Sequence, residues 1–282
     1  PVWSPDGKHL VFSDTDLDQW LVEIETGKTK RIDQDTYTHP ARTLEPDWSP
    51  DSRWIAYAKR QSNQFHVITV YSMDENRATT ITDGLSDSFS PAWDRDGKYL
   101  YFLAGTDSGL NTGWVDMSSF DRPERCAVYL AVLPLGIPSP LLPESDEEPS
   151  EAAGETDKKK AKGDKKKSDP DDGKTETADE KPEIRVTIDF AGLDQRILAI
   201  DLPPGDYQTL RSGAAGVFYY TEQVPGAPDL RLHQYNLDDR EEKTFLEGID
   251  RFALSADGEK LLYRAEGAWG IVKTSDSPKA AD

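Results

Sequence analysis

The chain has 282 residues, with 53 acidic side chains against 33 basic ones and a formal net charge of −20 at pH 7. That length holds one large domain or two small ones. The charge excludes nucleic acid, whose phosphates demand a basic face, and argues against anionic membrane surfaces. No run of about 18 apolar residues is present to span a bilayer, and the single cysteine, Cys126, permits no internal disulfide and is silent on compartment.

The first element in the chain is a phrase, WSPDGKHLVF, at Trp3–Phe12. It returns as WSPDSRWIAY from Trp48 and WDRDGKYLYF from Trp93, at 45-residue intervals, and more weakly as LSADGEKLLY from Leu254. Ser-Pro-Asp-Gly is turn chemistry. Proline presets φ, aspartate bonds back to its neighbouring backbone and glycine accepts φ > 0. Ser52 replaces the glycine in the second copy, and Arg95 and Ala256 replace the proline in the third and fourth. The apolar runs behind each turn (Leu10–Phe12, Ile55–Tyr57, Leu100–Phe102) favour strands. A second hairpin follows in Gln19–Asp33 and again in Phe65–Thr82.

Four strands in a period of about 40–50 residues, with no helical pattern between them, predict an all-β chain built as a β-propeller. A single blade cannot bury both of its faces and must stack on neighbours. The tryptophan or leucine heading each phrase is therefore expected to pack between blades. A degenerate unit is predicted near Leu210, and the last begins at Leu254 and stops short of its outermost strand. That makes four blades and part of a fifth, from a chain that opens inside a repeat and reads as a fragment with blades missing upstream.

Two segments break the period. Gly105–Cys126 is predicted to project as a long loop in the third unit, with Trp114, Met117 and Phe120 folding it against something. Glu144–Pro182 carries fourteen acidic and nine basic residues and no aromatic, Val, Ile, Leu or Met. Such a segment cannot offset its ordering entropy and is expected to be a disordered insertion. The domain reading is thus 1–143 as three blades, 144–182 as insertion, and 183–282 as one degenerate and one incomplete blade.

Catalytic signatures are absent: there is no Gly-x-Ser-x-Gly elbow, no His-Glu-x-x-His, no phosphate loop and no cysteine pair. His9, His39, His66 and His233 fall at unrelated positions in the repeats. His66 and His233 are expected to serve packing or surface roles, and His39 to face one mouth of the ring. Asp14, Asp16 and Asp18 imitate the opening of a calcium loop, but Gln19 stands where the glycine is required and no twelfth-position glutamate follows. A solvated loop is the better reading, with no metal and no cofactor. Ser212–Gly216 could form an anion nest and is better explained as a turn. The residues just ahead of the innermost strands are candidates to line a polar central channel: Thr43, Glu45 and Asp47, then Ser86, Ser88 and Ser90.

The phrase alone looks like the repeats of the Tol-Pal propeller, of prolyl-oligopeptidase-type propellers and of tricorn proteases. FDRPERCAVYLAVL (Phe120–Leu133), SPLLPESDEE (Ser139–Glu148) and LLYRAEGAWGIVKT (Leu261–Thr274) resemble bacterial tricorn protease homologues. A charged insertion follows the Pro-Glu-Ser-Asp stretch in that family, as it does here. The resemblance places the chain late in a seven-bladed second propeller. It implies a serine peptidase whose catalytic residues lie in later domains, downstream of a PDZ domain, with none in this segment. It further implies peptide substrates guided through the propeller, a homo-oligomer as an option, and a cytoplasmic enzyme with exported relatives as the alternative. The competing reading is a non-enzymatic propeller that binds protein partners, as in the Tol-Pal system.

Overall fold

A computed structural model describes residues 1–36, 44–107, 124–142, 184–227 and 229–276. Two compact units result, Pro1–Pro140 with Ile184–Asp282, and Leu141–Glu183. Leu141 and Leu142 are the only described residues of the second. The predicted long loop, apart from its two ends, and the charged insertion lie outside the described residues, as do Trp114, Met117 and Phe120.

The first unit is a succession of antiparallel sheets. Blade 1 contains β1 (Val2–Trp3), β2 (His9–Ser13), β3 (Asp18–Glu23) and β4 (Thr29–Gln34) in that order. Blade 2 repeats the order with β5 (Asp47–Trp48), β6 (Trp54–Arg60), β7 (His66–Ser72) and β8 (Arg77–Thr80). Blade 3 has β9 (Asp87–Trp93), β10 (Tyr99–Gly105), β11 (Ala127–Val132) and β12 (Ile197–Ala199). Its outermost strand therefore lies beyond the insertion, in the stretch that the sequence reading gave wholly to later blades. At three residues, β12 carries no legible pattern of its own. It is preceded by a 3-10 turn, Leu193–Arg196, whose Arg196 Nη1 donates to the carbonyls of Val132 and Leu133, both at 2.9 Å.

The last sheet has six strands: β13 (Tyr207–Ser212), β14 (Val217–Gln223), β15 (Leu230–Asn236), β16 (Glu241–Leu254), β17 (Lys260–Ala265) and β18 (Ala268–Lys273). It is two blades on one spine. The first part of β16 pairs with β15 as the outer strand of blade 4, and Ile249–Leu254 pair with β17 as the inner strand of blade 5. Gly248 sits at φ 71° between the two parts, a conformation that glycine adopts without steric cost. Among the described residues, four complete blades and three strands of a fifth match the architecture predicted from the repeats.

Each phrase occupies one place in its blade. The head residue ends the innermost strand, and a Ser-x-Asp turn, Asp-x-Asp in the third phrase, leads to the second strand. In three of the turns the serine Oγ–H donates to the aspartate two residues on: Ser4 to Asp6 and Ser49 to Asp51 at 2.6 Å, and Ser255 to Asp257. The main-chain bond that closes the turn recurs as Ser4 N to His9 O, Ser49 N to Trp54 O, Asp94 N to Tyr99 O, Gly213 N to Val217 O and Ser255 N to Lys260 O. This register makes Ser212, two residues past Leu210, the head of the degenerate blade.

Trp48 and Trp93, the tryptophan heads with a preceding blade in this chain, pack between blades. Trp48 is 5% exposed and Trp93 3%, whereas Trp3, on the outer flank of blade 1, is 57% exposed. Trp48 Nε1–H donates to Val2 O and Trp93 Nε1–H to Asp47 O, both at 3.2 Å, so each indole bonds to the strand one blade back. Around Trp48, the residues Val11, Leu21, Ile55, Tyr57 and Tyr71 form one core cluster shared by blades 1 and 2. Tyr101 and Phe218 meet across blades 3 and 4 with ring centroids 4.9 Å apart. At the far end, Trp269 and Ile271 on β18 are 58% and 72% exposed.

Candidate functional site

Residues of blades 1 and 4 and of the segment entering blade 2 line a cavity of about 360 Å³. Val2, Phe12 and Ser13 of blade 1 line it, with Glu45 and Pro46 ahead of blade 2 and Arg211 on the innermost strand of blade 4. Walls contributed by non-adjacent blades put it on the axial side of the arc. One wall is apolar, and the others carry a carboxylate and a guanidinium.

Local backbone geometry sets this rim. Glu45 and Ser90 occupy equivalent places 45 residues apart, and each directly precedes a proline. Both are left-handed, with φ of 46° and 51°, a region that few non-glycine residues enter. At Ser90 the departure coincides with a register shift between β9 and β10, the mark of a bulge. The chain thereby re-aims its innermost strand just before the head residue.

The six channel candidates part company here. Thr43 lies outside the described residues. Glu45 lines the cavity, and Ser86 is partly exposed. Asp47 reaches forward to blade 3, where its Oδ2 accepts Trp93 N–H at 3.0 Å. Burial raises the Asp47 pKa above the usual carboxylate value, against the pull of that amide and of Arg211. Ser88 and Ser90 are fully buried. Ser90 Oγ accepts Leu210 N–H at 2.9 Å and an Arg211 N–H at 3.3 Å, so it seals blade 3 to blade 4. The Ser90 hydroxyl is thereby committed to the junction between the blades.

Arg95 and Arg211 were not among the candidates. Arg95, in the place of the turn proline, donates to Gly213 O at 2.7 Å, to Ser255 O at 3.2 Å and to Ala256 O. One side chain thus ties blade 3 to blades 4 and 5. The signal was the loss of proline at that turn. Ser212–Gly216 forms a turn, and its Gly216 N–H donates to Asp94 Oδ1 of blade 3 at 2.8 Å.

Of the described histidines, His66 and His9 make contacts across blades, and His233 makes its contacts within blade 4. His66 Nδ1 lies 2.7 Å from Asp87 Oδ1, which also accepts His66 N–H at 2.6 Å, across the junction of blades 2 and 3. His233 stands between Glu222, at 3.1 Å, and Glu242, stacked on Tyr220 at 4.9 Å. His9 tilts over Trp48 at 6.2 Å, and His39 lies outside the described residues. Asp14 is consumed by its own loop. It accepts the amides of Asp16 and Asp18 at 2.9 and 3.0 Å and Trp20 Nε1–H at 2.6 Å. Among the described residues no three His, Cys, Asp or Glu side chains are grouped to hold a metal, and no helix is long and apolar enough to cross a membrane.

Radial four-stranded blades about an axial cavity define a β-propeller segment. Residues 1–275 match the family model described as the tricorn protease second beta propeller domain, and the chain belongs to that family. It is 26% identical over 268 residues to a tricorn protease homolog of Saccharolobus solfataricus, covering 92% of this chain and 21% of that protein. It is 27% identical over 283 residues to a putative tricorn-like protease C-terminal subunit of Sulfurisphaera tokodaii, covering 98% and 28%. The crystal structure of the tricorn protease superposes with a TM-score of 0.67 at 20% identity, over 96% of this chain and 24% of that one. The chain therefore spans a fifth to somewhat over a quarter of the length of these relatives.

Proposed function

We propose that this chain is the substrate-conducting propeller of a longer, tricorn-like serine peptidase, and that it contributes access and selection while other domains carry out the chemistry. The observation that carries this reading is the axial cavity. Its volume falls within the range of ligand clefts, and its walls pair apolar surface with opposite charges, which suits an extended peptide. Family membership supports peptide substrates and covalent neighbours with catalytic and PDZ character. Hydrolysis would run as acyl transfer through a serine ester, with backbone donors holding the oxyanion, on residues outside this segment. A cytoplasmic location and self-association belong to the same proposal.

The test is a peptidase assay on the full-length protein with Ser13→Trp, which puts an indole at the cavity wall. The rate on an unfolded polypeptide should fall about ten-fold or more in kcat/KM, while a short chromogenic peptide should be cleaved as before. Unchanged polypeptide cleavage in that variant, or in a protein lacking the propeller, would overturn the reading.

A further inference from the structure

The innermost strands each bring one residue to the place just ahead of the head: Val2, Asp47, Ala92, Arg211 and Ala253. Of these, only Arg211 of blade 4 is a cation. It is half-buried and lines the axial cavity. Placing a guanidinium in a cavity walled by Val2, Phe12 and Pro46 costs hydration. Among the described residues no carboxylate forms an ion pair with it to offset that cost. Asp47 lies within range of its charge but spends its Oδ2 on Trp93 N–H, at 3.0 Å.

The bonds that Arg211 does make hold it in place. Both come from Nη1, to Leu210 O at 2.8 Å and to Ser90 Oγ at 3.3 Å. Ser90 is itself fixed: from a left-handed backbone at φ 51° its Oγ accepts Leu210 N–H at 2.9 Å. A guanidinium carries its N–H donors in a rigid planar fork. With Nη1 tied to the blade junction, Nε–H and Nη2 remain side by side on the other edge, without a protein acceptor among the described residues. Such an edge matches the two oxygens of a carboxylate, and bidentate charge-assisted pairs of this kind are the strong ones.

We propose that Arg211 is the carboxylate-reading residue of the axial cavity, and that the cavity selects peptide segments bearing a carboxylate, on an acidic side chain or at a free C-terminus. The proposal rests on the peptide-conducting reading above and narrows its substrate class. Apolar walls lower the local dielectric and strengthen the pair. Glu45 lines the same cavity. Its charge opposes an anion there, so it limits the preference that Arg211 creates.

Calorimetric titration of the full-length protein with three tetrapeptides of equal apolar content tests this. One carries glutamine and capped ends, the second glutamate and capped ends, the third glutamine and a free C-terminus. The second or the third should bind about ten-fold more tightly than the first, as expected of a hydrogen bond to a charged group. Which of them does so tells the side-chain source from the terminal one. Arg211→Gln should bring all three to the affinity of the neutral peptide, whose unchanged binding reports an intact cavity. Glu45→Gln should widen the preference, and it gives an independent reading if the arginine variant folds poorly. The assignment is overturned if the wild type binds all three alike or none, or if its preference survives Arg211→Gln or ignores Glu45→Gln. Ser13→Trp separates the two readings. Loss of all binding in that variant, with no discrimination by the wild type, removes the role of Arg211 and leaves conduction standing. Undiminished binding in it removes conduction itself.

Discussion

Replacing the three tryptophans that head the phrases by alanine, one at a time, should produce sharply unequal losses despite their near-identical sequence context. A tryptophan buries about 150–250 Å² when fully enclosed, and at about 25 cal/mol per Å² that is roughly 5 kcal/mol. Trp93, 3% exposed, keeps almost all of this, and Trp48, 5% exposed, nearly as much. Each also loses a bond from Nε1–H to the preceding blade, a net contribution of about 1 kcal/mol. Burial computed from a folded structure is an upper bound, and measured Trp→Ala losses in cores run at about 3–5 kcal/mol. That range is expected for Trp48→Ala and Trp93→Ala. Trp3 is 57% exposed in this chain, which scales the area contribution to about 2 kcal/mol or less. Urea unfolding of the 282-residue chain, followed by far-ultraviolet circular dichroism, would give the three values from midpoints at constant slope. Equal losses for Trp3→Ala and Trp93→Ala, within about 0.5 kcal/mol, would refute the claim that blade-to-blade burial sets the energetics of the phrase.

Arg95→Ala should cost about 1.5–3 kcal/mol, since a charged donor group serving three carbonyls is lost. Hydrogen exchange should accelerate most in β17 and β18, and an effect confined to β10 would contradict the inter-blade role. Asp14 is held below the usual carboxylate value chiefly by Trp20 Nε1–H, against some burial and with help from two amides. Its stabilisation is thus present above that range and lost as pH falls through it. Asp14→Asn should lower the thermal midpoint at pH 7 and converge with the wild type in acid. Added millimolar calcium should leave the midpoint of the wild type unmoved, because the carboxylate oxygens are already committed to the loop.

The strand-turn-strand phrase was legible because its turn residues act locally. Proline, aspartate and glycine shape their own few bonds, so the repeat announces its geometry wherever it occurs. What escaped was decided between blades. Ser212 heads its unit without any resemblance to tryptophan, because the main-chain bond from Gly213 to Val217 defines the turn whatever side chain precedes it. Ser90 looks like a channel residue in sequence, yet its hydroxyl accepts from the backbone of blade 4. Arg95 reads as a defect in a proline turn until the carbonyls of two other blades are placed beside it. Asp94 looks like a tolerated serine replacement, and its partner Gly216 lies 122 residues away. Of the cavity lining, Glu45 stands ahead of an innermost strand, and Arg211 lies in the degenerate unit that the sequence places near Leu210 and whose head is Ser212.

The shared strand β16 has a mechanical corollary. Other blades meet through loops and side chains, but the fourth and fifth have a single backbone running through both hydrogen-bond ladders. Pulling or heating that frays the outer edge of one must peel the inner edge of the other, so the pair forms one cooperative block. Flexing of the arc is left to the loop-linked joints nearer its beginning.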